Sequence, residues 1–406
     1  MKIIGMIPAR MNSKRFKGKV IHNILGKPMI YWVYKSASRV DKFDSIYVAT
    51  SDIEIKEVCN KYNIPVICNP TNETTAAEKI ALESTSIDGD IFINIQGDEP
   101  LVEAGAINQI IYAIENDKDL YYVGLKSKIS EKEYNDPNVV KVVCDKNDYA
   151  MYFSRSPIPS TYDENNAYRV MGLYGYRKEF LPNFIDKKSR LENLENGIEM
   201  LRVMSKGYKI KLLDTSYTSI GVDVIKHIKI VEDIMLSSNE YGEYTDLYDE
   251  NKNLTDKKLF REKGTKLEVP KGYYNIVVLA FIKNKEGKYL IQKTSKNKKG
   301  VYATTGGHVK SGESSLDAII NEINEELGVK INRKECKLFK TYKYDTAFKD
   351  VFYIEKDIDL NKVKYSTYEV ESVEYMSVDE ISNLIKDNKF RKTNIDAFYD
   401  LLSSNK

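Results

Sequence analysis

The sequence lacks the compositional features of several large protein classes. Its 62 basic and 60 acidic side chains leave a net charge of +2, which favours neither nucleic acid nor an anionic membrane as a partner. The 4 cysteines lie far apart and form no Cys-x-x-Cys pair, which argues against a disulfide framework or a zinc site. No apolar run reaches membrane-spanning length, and the first strand is too short and too poorly flanked for a signal peptide. We therefore predict a soluble cytoplasmic protein with no nucleic-acid or membrane partner.

The first half of the chain has the pattern of a doubly wound, mostly parallel α/β sheet. With 406 residues the chain is too long for one ordinary core, so at least two domains are expected. Up to about residue 235, short apolar strands alternate with helical patterns. The predicted elements are strands Ile3–Ile7, Ser45–Ala49, Pro65–Cys68, Ile91–Ile95 and Tyr121–Leu125, helices Ile30–Val40, Ile53–Tyr62 and Asp223–Met235, and an antiparallel pair Asn138–Cys144 and Ala150–Phe153.

The second half restarts after a charged stretch. Residues 239–269 contain few large aliphatic side chains, so they are predicted to be a linker with one short helix. The apolar pattern then predicts a hairpin from Asn275–Ile282 and Lys288–Lys293, followed by a helix at Ser315–Leu327. The predicted domains are therefore 1–238, α/β, and 270–406, α+β.

One buried strand ends in an acidic turn. The run Ile91–Ile95 is apolar apart from one Asn, and Gln96 and Gly97 break it so that Asp98 emerges at its carboxyl end. In open α/β sheets this edge binds ligands, and a carboxylate there can hold a divalent cation against a nucleotide phosphate. From these residues alone, an acidic turn after a core strand is the ordinary interpretation.

The loop that follows the first strand is basic. It contains Arg10, Ser13, Arg15 and Lys19, whose charges and backbone amides could wrap a triphosphate, although a solvated basic loop would have the same composition. Together with the Gln96–Pro100 turn, this loop resembles the 3-deoxy-manno-octulosonate cytidylyltransferase, or CMP-Kdo synthetase, family. Further similar segments follow in the family's order: 136–142, 152–159, 172–177 and 221–223.

The resemblance implies a reaction and a set of site residues. It implies a homodimeric enzyme of lipopolysaccharide or surface-polysaccharide synthesis that transfers CMP from CTP to an acidic sugar and releases pyrophosphate. Asp98 and Asp223 would hold Mg²⁺. Arg10 and Lys19 would bind the phosphates of CTP and act in catalysis. The complete set of predicted nucleotide-binding residues is Arg10, Ser13, Arg15, Lys19, Gln96 and Arg155.

The chain departs from the family at positions that hold nucleotide and sugar. Thr75-Ala76-Ala77-Glu78-Lys79 stands where the family has Ser-Gly-Thr-Asp-Arg, so the charges are kept but the Gly and Thr are not. Val170 replaces a sugar-binding His, and Met200 replaces a Gln. These losses of hydrogen-bond partners make a different ulosonic acid, or another acidic hydroxyl acceptor, an open alternative.

A second motif lies on the predicted helix of the second domain. From Gly307 to Val329 the chain matches the Nudix signature, which is called the box below. Within the box, Glu322, Glu325 and Glu326 fall on one helical face. Such crowding is costly unless cations neutralise it, as Mg²⁺ or Mn²⁺ would do while bridging a diphosphate. A solvated Glu-rich face is the alternative, and the Gly residues at the correct spacing count against it.

Resemblance to Nudix hydrolases implies attack by water on a nucleoside diphosphate-linked compound, with Glu325 as a catalytic residue. The family's box arginine is Asn321 here, which leaves open a ligand-binding regulator without turnover. The flanks also resemble the branch near isopentenyl-diphosphate isomerase, but the catalytic Cys that isomerisation needs is absent, because Cys336 follows the box. The remaining alternative is that the first domain only binds nucleotide-sugars.

Overall fold

The computed structural model describes residues 1–13, 15–70, 75–218, 220–238, 240–296, 299–365 and 370–404, and these form two compact units. The first unit contains residues 1–234 and the second residues 235–406, so the boundary falls near the end of a helix, Lys226–Ser237. No helix among the described residues is long and apolar enough to cross a membrane.

A nine-stranded, mostly parallel sheet forms the centre of the first unit. Its strands are β1 (Ile3–Pro8), β4 (Ser45–Thr50), β5 (Val66–Cys68), β6 (Ile91–Ile95), β7 (Tyr122–Lys128), β8 (Lys141–Cys144), β9 (Ala150–Ser154), β10 (Tyr168–Arg177) and β11 (Lys211–Asp214), while β2 (Asn23–Ile24) and β3 (Lys27–Pro28) pair separately. The helices are α1 (Met29–Ala37), α2 (Ile53–Lys61), α3 (Ala76–Ser84), α4 (Ala104–Asn116), α5 (Glu131–Tyr134), α6 (Arg190–Leu194), α7 (Met200–Met204) and α8 (Lys226–Ser237).

The order of the central strands is β11-β7-β10-β6-β1-β4-β5. Strand β1 pairs in parallel with β4 and β6, whereas β10 lies antiparallel between β6 and β7. The predicted pair Asn138–Cys144 and Ala150–Phe153 forms β8 and β9, which attach to this sheet through β10. The apolar runs are buried because α/β sheets are covered by helices on both faces. This confirms the predicted fold class of the first domain.

The second unit contains a seven-stranded mixed sheet between helices and a separate two-stranded sheet, which is formed by its first two strands. Its elements are β12 (Gly242–Tyr248), β13 (Leu254–Glu262), β14 (Asn275–Lys283), β15 (Tyr289–Thr294), β16 (Tyr302–Ala303), β17 (Thr305–His308), α9 (Ser315–Leu327), β18 (Lys337–Lys343), β19 (Ala347–Glu355), β20 (Val370–Met376), α10 (Val378–Lys386) and α11 (Ile395–Ser404). Ile319 and Ile323 of α9 pack on one side in a core with Val278, while Phe398 of α11 packs in a second core with Phe281.

The interpretation of residues 239–269 as a linker with one short helix is wrong for the described part of that stretch. Residues 242–262 form an antiparallel hairpin of β12 and β13, in which Thr245 and Leu247 are buried. Asn239 lies outside the described residues. Some of the charged side chains that indicated a linker are exposed, such as Lys257, and others form ion pairs, such as Arg261 with Glu243.

Candidate active sites

The carboxyl ends of β1 and β6 meet at one edge of the first sheet. The two strands pair in parallel, with Ile3 opposite Ile91, so the segments that follow them leave the sheet on the same side. Gly97 lies where these segments touch, because a Cβ atom there would be 2.7 Å from the carbonyl oxygen of Pro8. The basic loop and the acidic turn predicted from the sequence therefore face one region.

Lys19 lies between two carboxylates at this edge. Its ammonium contacts the carboxylate of Asp98 and is 3.4 Å from Asp223 Oδ1. A backbone hydrogen bond of 2.9 Å, from Val222 N–H to the carbonyl oxygen of Asp98, brings the distant Asp223 segment to the edge. Lys19 is only 9% exposed, so this ammonium depends on its two anionic partners to offset its desolvation.

Two of the three arginines in the predicted set, Arg15 and Arg155, contact the same asparagine, Asn138. Arg15 Nη2 is 2.7 Å from Asp223 Oδ1, and its Nη1 donates to Asn138 Oδ1 at 3.2 Å. Arg155 Nη1 donates to the carbonyl oxygens of Asn138 and Pro137, each at 3.3 Å. Arg15 therefore borders the acidic pair, and Arg155 lies behind it on the 137–138 segment that Arg15 also contacts.

The other predicted nucleotide-binding residues lie on the same two loops. Arg10 and Ser13 follow β1, where the loop turns back with Ser13 N–H donating to the carbonyl oxygen of Met11 at 3.0 Å. Gln96 is the first residue after β6. Lys14 of the basic loop lies outside the described residues. The backbone thus carries these side chains to the sheet edge that holds the acidic pair.

The second candidate site lies along α9. This helix begins after Ser314, whose side chain caps it by accepting a hydrogen bond from Asp317 N–H. It ends at Gly328, which has a φ of 66° in the left-handed region that glycine adopts easily. Burial, followed by the like charges of Glu326 and Glu325, raises the pKa of Glu322 to about 8. A Cβ at Gly307 would overlap the Glu322 carboxylate, so glycine is needed for this approach.

Polar partners hold the other carboxylates of this helix. Glu325 Oε1 lies 3.3 Å from the ammonium of Lys310, and Glu326 Oε2 accepts from Gln292 Nε2 at 3.0 Å. Asn321 Nδ2 donates to Glu313 Oε1 at 3.0 Å. Within the described ranges, no group of three or more His, Cys, Asp or Glu side chains is arranged to hold a metal ion. The predicted carboxylates therefore share a helix face without forming a closed cage.

Two family models match the chain. The cytidylyltransferase model matches residues 4–210, and the NUDIX domain model matches residues 273–398. The chain belongs to the cytidylyltransferase family. It is a nucleotidyltransferase whose second half carries a NUDIX domain.

Individual relatives show which cytidylyltransferases the first domain is similar to. The 3-deoxy-manno-octulosonate cytidylyltransferase of Fusobacterium nucleatum is 41% identical over 244 residues, which are 59% of this chain and 99% of the relative. The same enzyme of Geotalea uraniireducens is 36% identical over 237 residues, 55% of this chain and 94% of the relative. A structure of CMP:2-keto-3-deoxy-manno-octonic acid synthetase complexed with CTP has a TM-score of 0.55 at 31% identity, covering 58% of this chain and 98% of that one. The predicted resemblance is confirmed.

In the cytidylyltransferase domain, residues 75–79, which differ from the family's sequence, make contacts within the fold. Thr75 caps α3 by accepting from Glu78 N–H, and Glu78 Oε1 lies 2.7 Å from Arg202 Nη1. Lys79 is 2% exposed, and its ammonium is 3.0 Å from Glu83 Oε1. Glu78 and Lys79, at positions that the resemblance assigns to nucleotide binding, are thus paired within the protein. The sequence pattern does not predict these pairings.

The two departures at predicted sugar contacts lie against the apolar core of this domain. Met200 is 5% exposed within that core, and Val170 packs on it as a half-buried side chain. Glu199, beside Met200, accepts from Ala77 N–H at 3.4 Å, and burial raises the pKa of its carboxyl group. The apolar side chains at these two positions therefore contribute to the core.

The close approach at Gly97 gives a first test of the cytidylyltransferase site. Gly97→Ala would push the acidic turn away from the Pro8 carbonyl, which is backbone and cannot move aside cheaply. We expect CTP-dependent pyrophosphate release to fall about 10- to 100-fold, because Asp98 is the next residue along the chain. Stability should fall by about 1–3 kcal/mol, as in other overpacked sites.

Gly105→Ala is the matched control for that substitution. Gly105 lies in α4, where an added methyl group would have no neighbouring atom within 4 Å, so alanine should retain activity. It should also raise stability by about 0.5–1 kcal/mol through helix propensity. Equal activity in the two variants, measured at saturating CTP, would contradict the placement of Gly97 at the reacting edge.

The NUDIX domain contains a histidine whose buried neutral form affects stability at low pH. Burial, followed by the charge of Arg261, lowers the pKa of His308 to about 4, and Asn275 Nδ2 lies 3.0 Å from its Nδ1. Between pH 4 and the unfolded pKa near 6.5, the histidine of the unfolded chain binds a proton that His308 of the folded chain does not bind. The contribution of His308 to stability is therefore fully present above pH 6.5 and is lost as the pH falls towards 4. The expected loss is about 2–3 kcal/mol.

Urea unfolding in EDTA at pH 7 and pH 4.5, with wild type and His308→Asn compared at each pH, would measure this contribution. The comparison between proteins is necessary because Glu322, with its raised pKa, has the opposite dependence and gains stability as the pH falls. Wild type should lose more stability than His308→Asn over this interval. Parallel losses would show that His308 carries no such penalty.

Proposed function

We propose that the cytidylyltransferase domain transfers CMP from CTP to a hydroxyl of an acidic sugar, 3-deoxy-manno-octulosonate or a related ulosonic acid, and releases pyrophosphate. The observation that carries the proposal is the position of Lys19 between Asp98 and Asp223, with Arg15 also paired to Asp223, at the ligand-binding edge of the sheet. The names of the relatives support both CTP and this class of acceptor.

The acidic pair fits a divalent cation. Both donors are carboxylates, the hard oxygen ligands that Mg²⁺ prefers, and the Lys19 ammonium between them already marks a position for positive charge. Asp98 and Asp223 would hold the ion. When bound, Mg²⁺ neutralises charge on the α-phosphate and lowers the pKa of the attacking hydroxyl.

The basic side chains perform the remaining steps. Arg15 and Arg155 would bind triphosphate oxygens through paired N–H donors, and Lys19 would turn one of its three donors to the leaving pyrophosphate. The sugar oxygen forms its bond to the α-phosphorus as the bond to the β-phosphate oxygen breaks, so the aligned groups need only hold an in-line geometry. No covalent enzyme intermediate is required.

The acceptor is proposed as a class because of the two apolar positions. Val170 and Met200 offer no hydrogen bond to a buried sugar hydroxyl, and a site that leaves such a hydroxyl unpaired selects against it. These positions favour an ulosonic acid with fewer polar demands there than 3-deoxy-manno-octulosonate.

We propose for the NUDIX domain the hydrolysis of a nucleoside diphosphate-linked compound. Glu322, Glu325 and Glu326 would hold Mg²⁺ or Mn²⁺, because burial, followed by the like charges of Glu326 and Glu325, raises the pKa of Glu322 and a cation would offset both effects. Glu325 is exposed and would accept a proton from the attacking water. The water oxygen bonds to phosphorus while the bridging P–O bond breaks.

A non-catalytic regulator is the second candidate for this domain. Asn321 makes a neutral hydrogen bond to Glu313 where the resembling hydrolases place a cationic arginine, so Glu313 is held less strongly. Metal-dependent turnover of any nucleoside diphosphate conjugate by the full-length protein, lost in Glu325→Gln, would exclude the regulator.

The test of the whole proposal is pyrophosphate release by the full-length protein with Mg²⁺, each of the four nucleoside triphosphates in turn, and a panel of acidic sugars. Products are identified by mass. Release with CTP and one ulosonic acid, giving a CMP adduct, is expected. No release across the panel from folded protein would contradict the proposed transfer.

A further inference from the structure

The hairpin β12–β13 lies outside both family matches but is attached to the NUDIX box. The cytidylyltransferase match ends at residue 210 and the NUDIX match begins at residue 273. Asp246, which is 8% exposed, accepts from Ser311 Oγ at 2.7 Å and from Gly312 N–H at 2.8 Å. Thr245 Oγ1 donates to the carbonyl oxygen of Val309 at 2.9 Å. The hairpin therefore holds the loop that leads into α9.

The turn of the same hairpin is anchored on the central sheet. Lys252 Nζ lies 2.6 Å from Asp350 Oδ1, and Asp350 is 2% exposed on β19. Two buried attachments, one at the box loop and one at the sheet, fix the hairpin as part of the second unit. The hairpin is thereby held in a constant position relative to the carboxylates of α9.

Charged side chains connect the hairpin to the box helix. Arg261 Nη2 pairs with Glu243 Oε1, and Glu243 Oε2 lies 3.9 Å from the ammonium of Lys310. Lys310 is in turn 3.3 Å from Glu325 Oε1. Two cations, Arg261 and Lys310, are thus gathered around one carboxylate directly beside a predicted metal-binding residue.

The hairpin charges also act on the interior of the box. Glu243 contributes to the raised pKa of Glu322, and Arg261 contributes to the lowered pKa of His308. Arg261 Nε is a buried donor that has no hydrogen-bond partner among the described residues. A buried donor without a partner is costly, and functional sites are where such donors persist.

We propose that this hairpin is one wall of the NUDIX site, and that Arg261 and Lys310, held by Glu243, bind the diphosphate of its substrate. The proposal rests on diphosphate binding at the box, as in the proposed function, but does not require hydrolysis. A diphosphate held through cations on α9 still carries anionic oxygens on its outer side, and guanidinium and ammonium groups suit them. With Asn321 in place of the box arginine, these two residues restore positive charge beside the box.

Amide deuterium exchange on the full-length protein tests the proposal. The probe is methylenebisphosphonate, a diphosphate that cannot be hydrolysed, titrated in the presence of Mg²⁺. We expect slower exchange in residues 242–262 and 307–328 with one common half-saturation concentration. Arg261→Met and Lys310→Met should each raise that concentration at least tenfold. Lys258→Met, at an exposed lysine of the same hairpin, should leave it unchanged.

The possible failures are distinguishable. Protection of residues 307–328 with no change in the hairpin, or unchanged half-saturation in both methionine variants, would overturn the inference and leave the proposed NUDIX function standing. No protection of residues 307–328 in wild type would overturn both. Exchange without the probe identifies any variant whose hairpin is unfolded. Arg261→Lys then decides, because lysine keeps the charge but not the planar guanidinium, so its half-saturation concentration should lie above that of wild type and below that of Arg261→Met.

Discussion

The Asp98→Asn protein is expected to release pyrophosphate from CTP about 1000-fold more slowly than wild type, because it loses one of the two carboxylates that we propose hold a divalent cation at the reacting phosphorus. Asn keeps the size of the side chain and the backbone contact to Val222, so the sheet edge should retain its shape. The change instead removes a charge that Lys19 contacts and that a divalent cation needs. The loss should appear in kcat, measured at saturating CTP and acceptor.

Asp186→Asn is the matched control for this substitution. Asp186 is an aspartate of the same domain whose side chain is 67% exposed and pairs with Lys206, so its loss should not alter the rate. The melting temperature of Asp186→Asn should stay near that of wild type. That of Asp98→Asn should fall but remain above the assay temperature, because Lys19 keeps Asp223 as an anionic partner. A rate above one tenth of wild type in Asp98→Asn would remove Asp98 from the proposed chemistry.

The elements that the sequence predicts best are those whose signals are local. The predicted strand Ile91–Ile95 and helix Ser315–Leu327 agree with β6 and α9 at both ends. The strand is a run that is apolar apart from Asn94 and that a glycine and a proline follow, and the helix lies between a serine cap and a left-handed glycine. Each of these signals needs only neighbouring residues, so no knowledge of the tertiary structure is necessary.

The hairpin β12–β13 shows where local signals fail. Its strands contain Tyr244 and Phe260, whose rings pack edge-to-face at 5.5 Å, but many of the other positions are Lys, Asp or Glu. Those charges are accommodated by partners far along the chain, such as Asp350 for Lys252. Because the stabilising contacts lie about a hundred residues away, composition alone indicates a linker.

The candidate sites divide in the same way. Motif and resemblance predict which residues gather at the sheet edge, and parallel pairing of β1 with β6 explains why they do. Neither predicts that Lys19 lies between the two aspartates, nor that Lys79 faces the interior beside Glu83. Such pairings depend on how loops close over the sheet, and a one-dimensional pattern does not contain that information.

Breaking a buried ion pair between α6 and α7 should strongly destabilise the cytidylyltransferase domain. Arg202 and Glu192 are both fully buried, and the guanidinium donates from Nε and Nη2 to the two carboxylate oxygens at 2.8 and 2.7 Å. Glu192→Ala would leave the guanidinium desolvated beside Glu78 alone. We expect a loss of about 3–5 kcal/mol in the free energy of unfolding.

Fluorescence of Trp32 in urea measures this loss in one domain. Trp32 is the single tryptophan of the chain and is fully buried in the first unit. Because a buried pair costs much desolvation, the Glu192→Leu/Arg202→Met double variant should recover at least half of the stability that Glu192→Ala loses. Asp233→Ala, which breaks an exposed pair with Lys229, should change stability by less than about 0.5 kcal/mol. If Glu192→Ala costs no more than this surface control, the pair is not a stabilising contact, and Arg202 would then be balanced by Glu78 and nearby carbonyl oxygens.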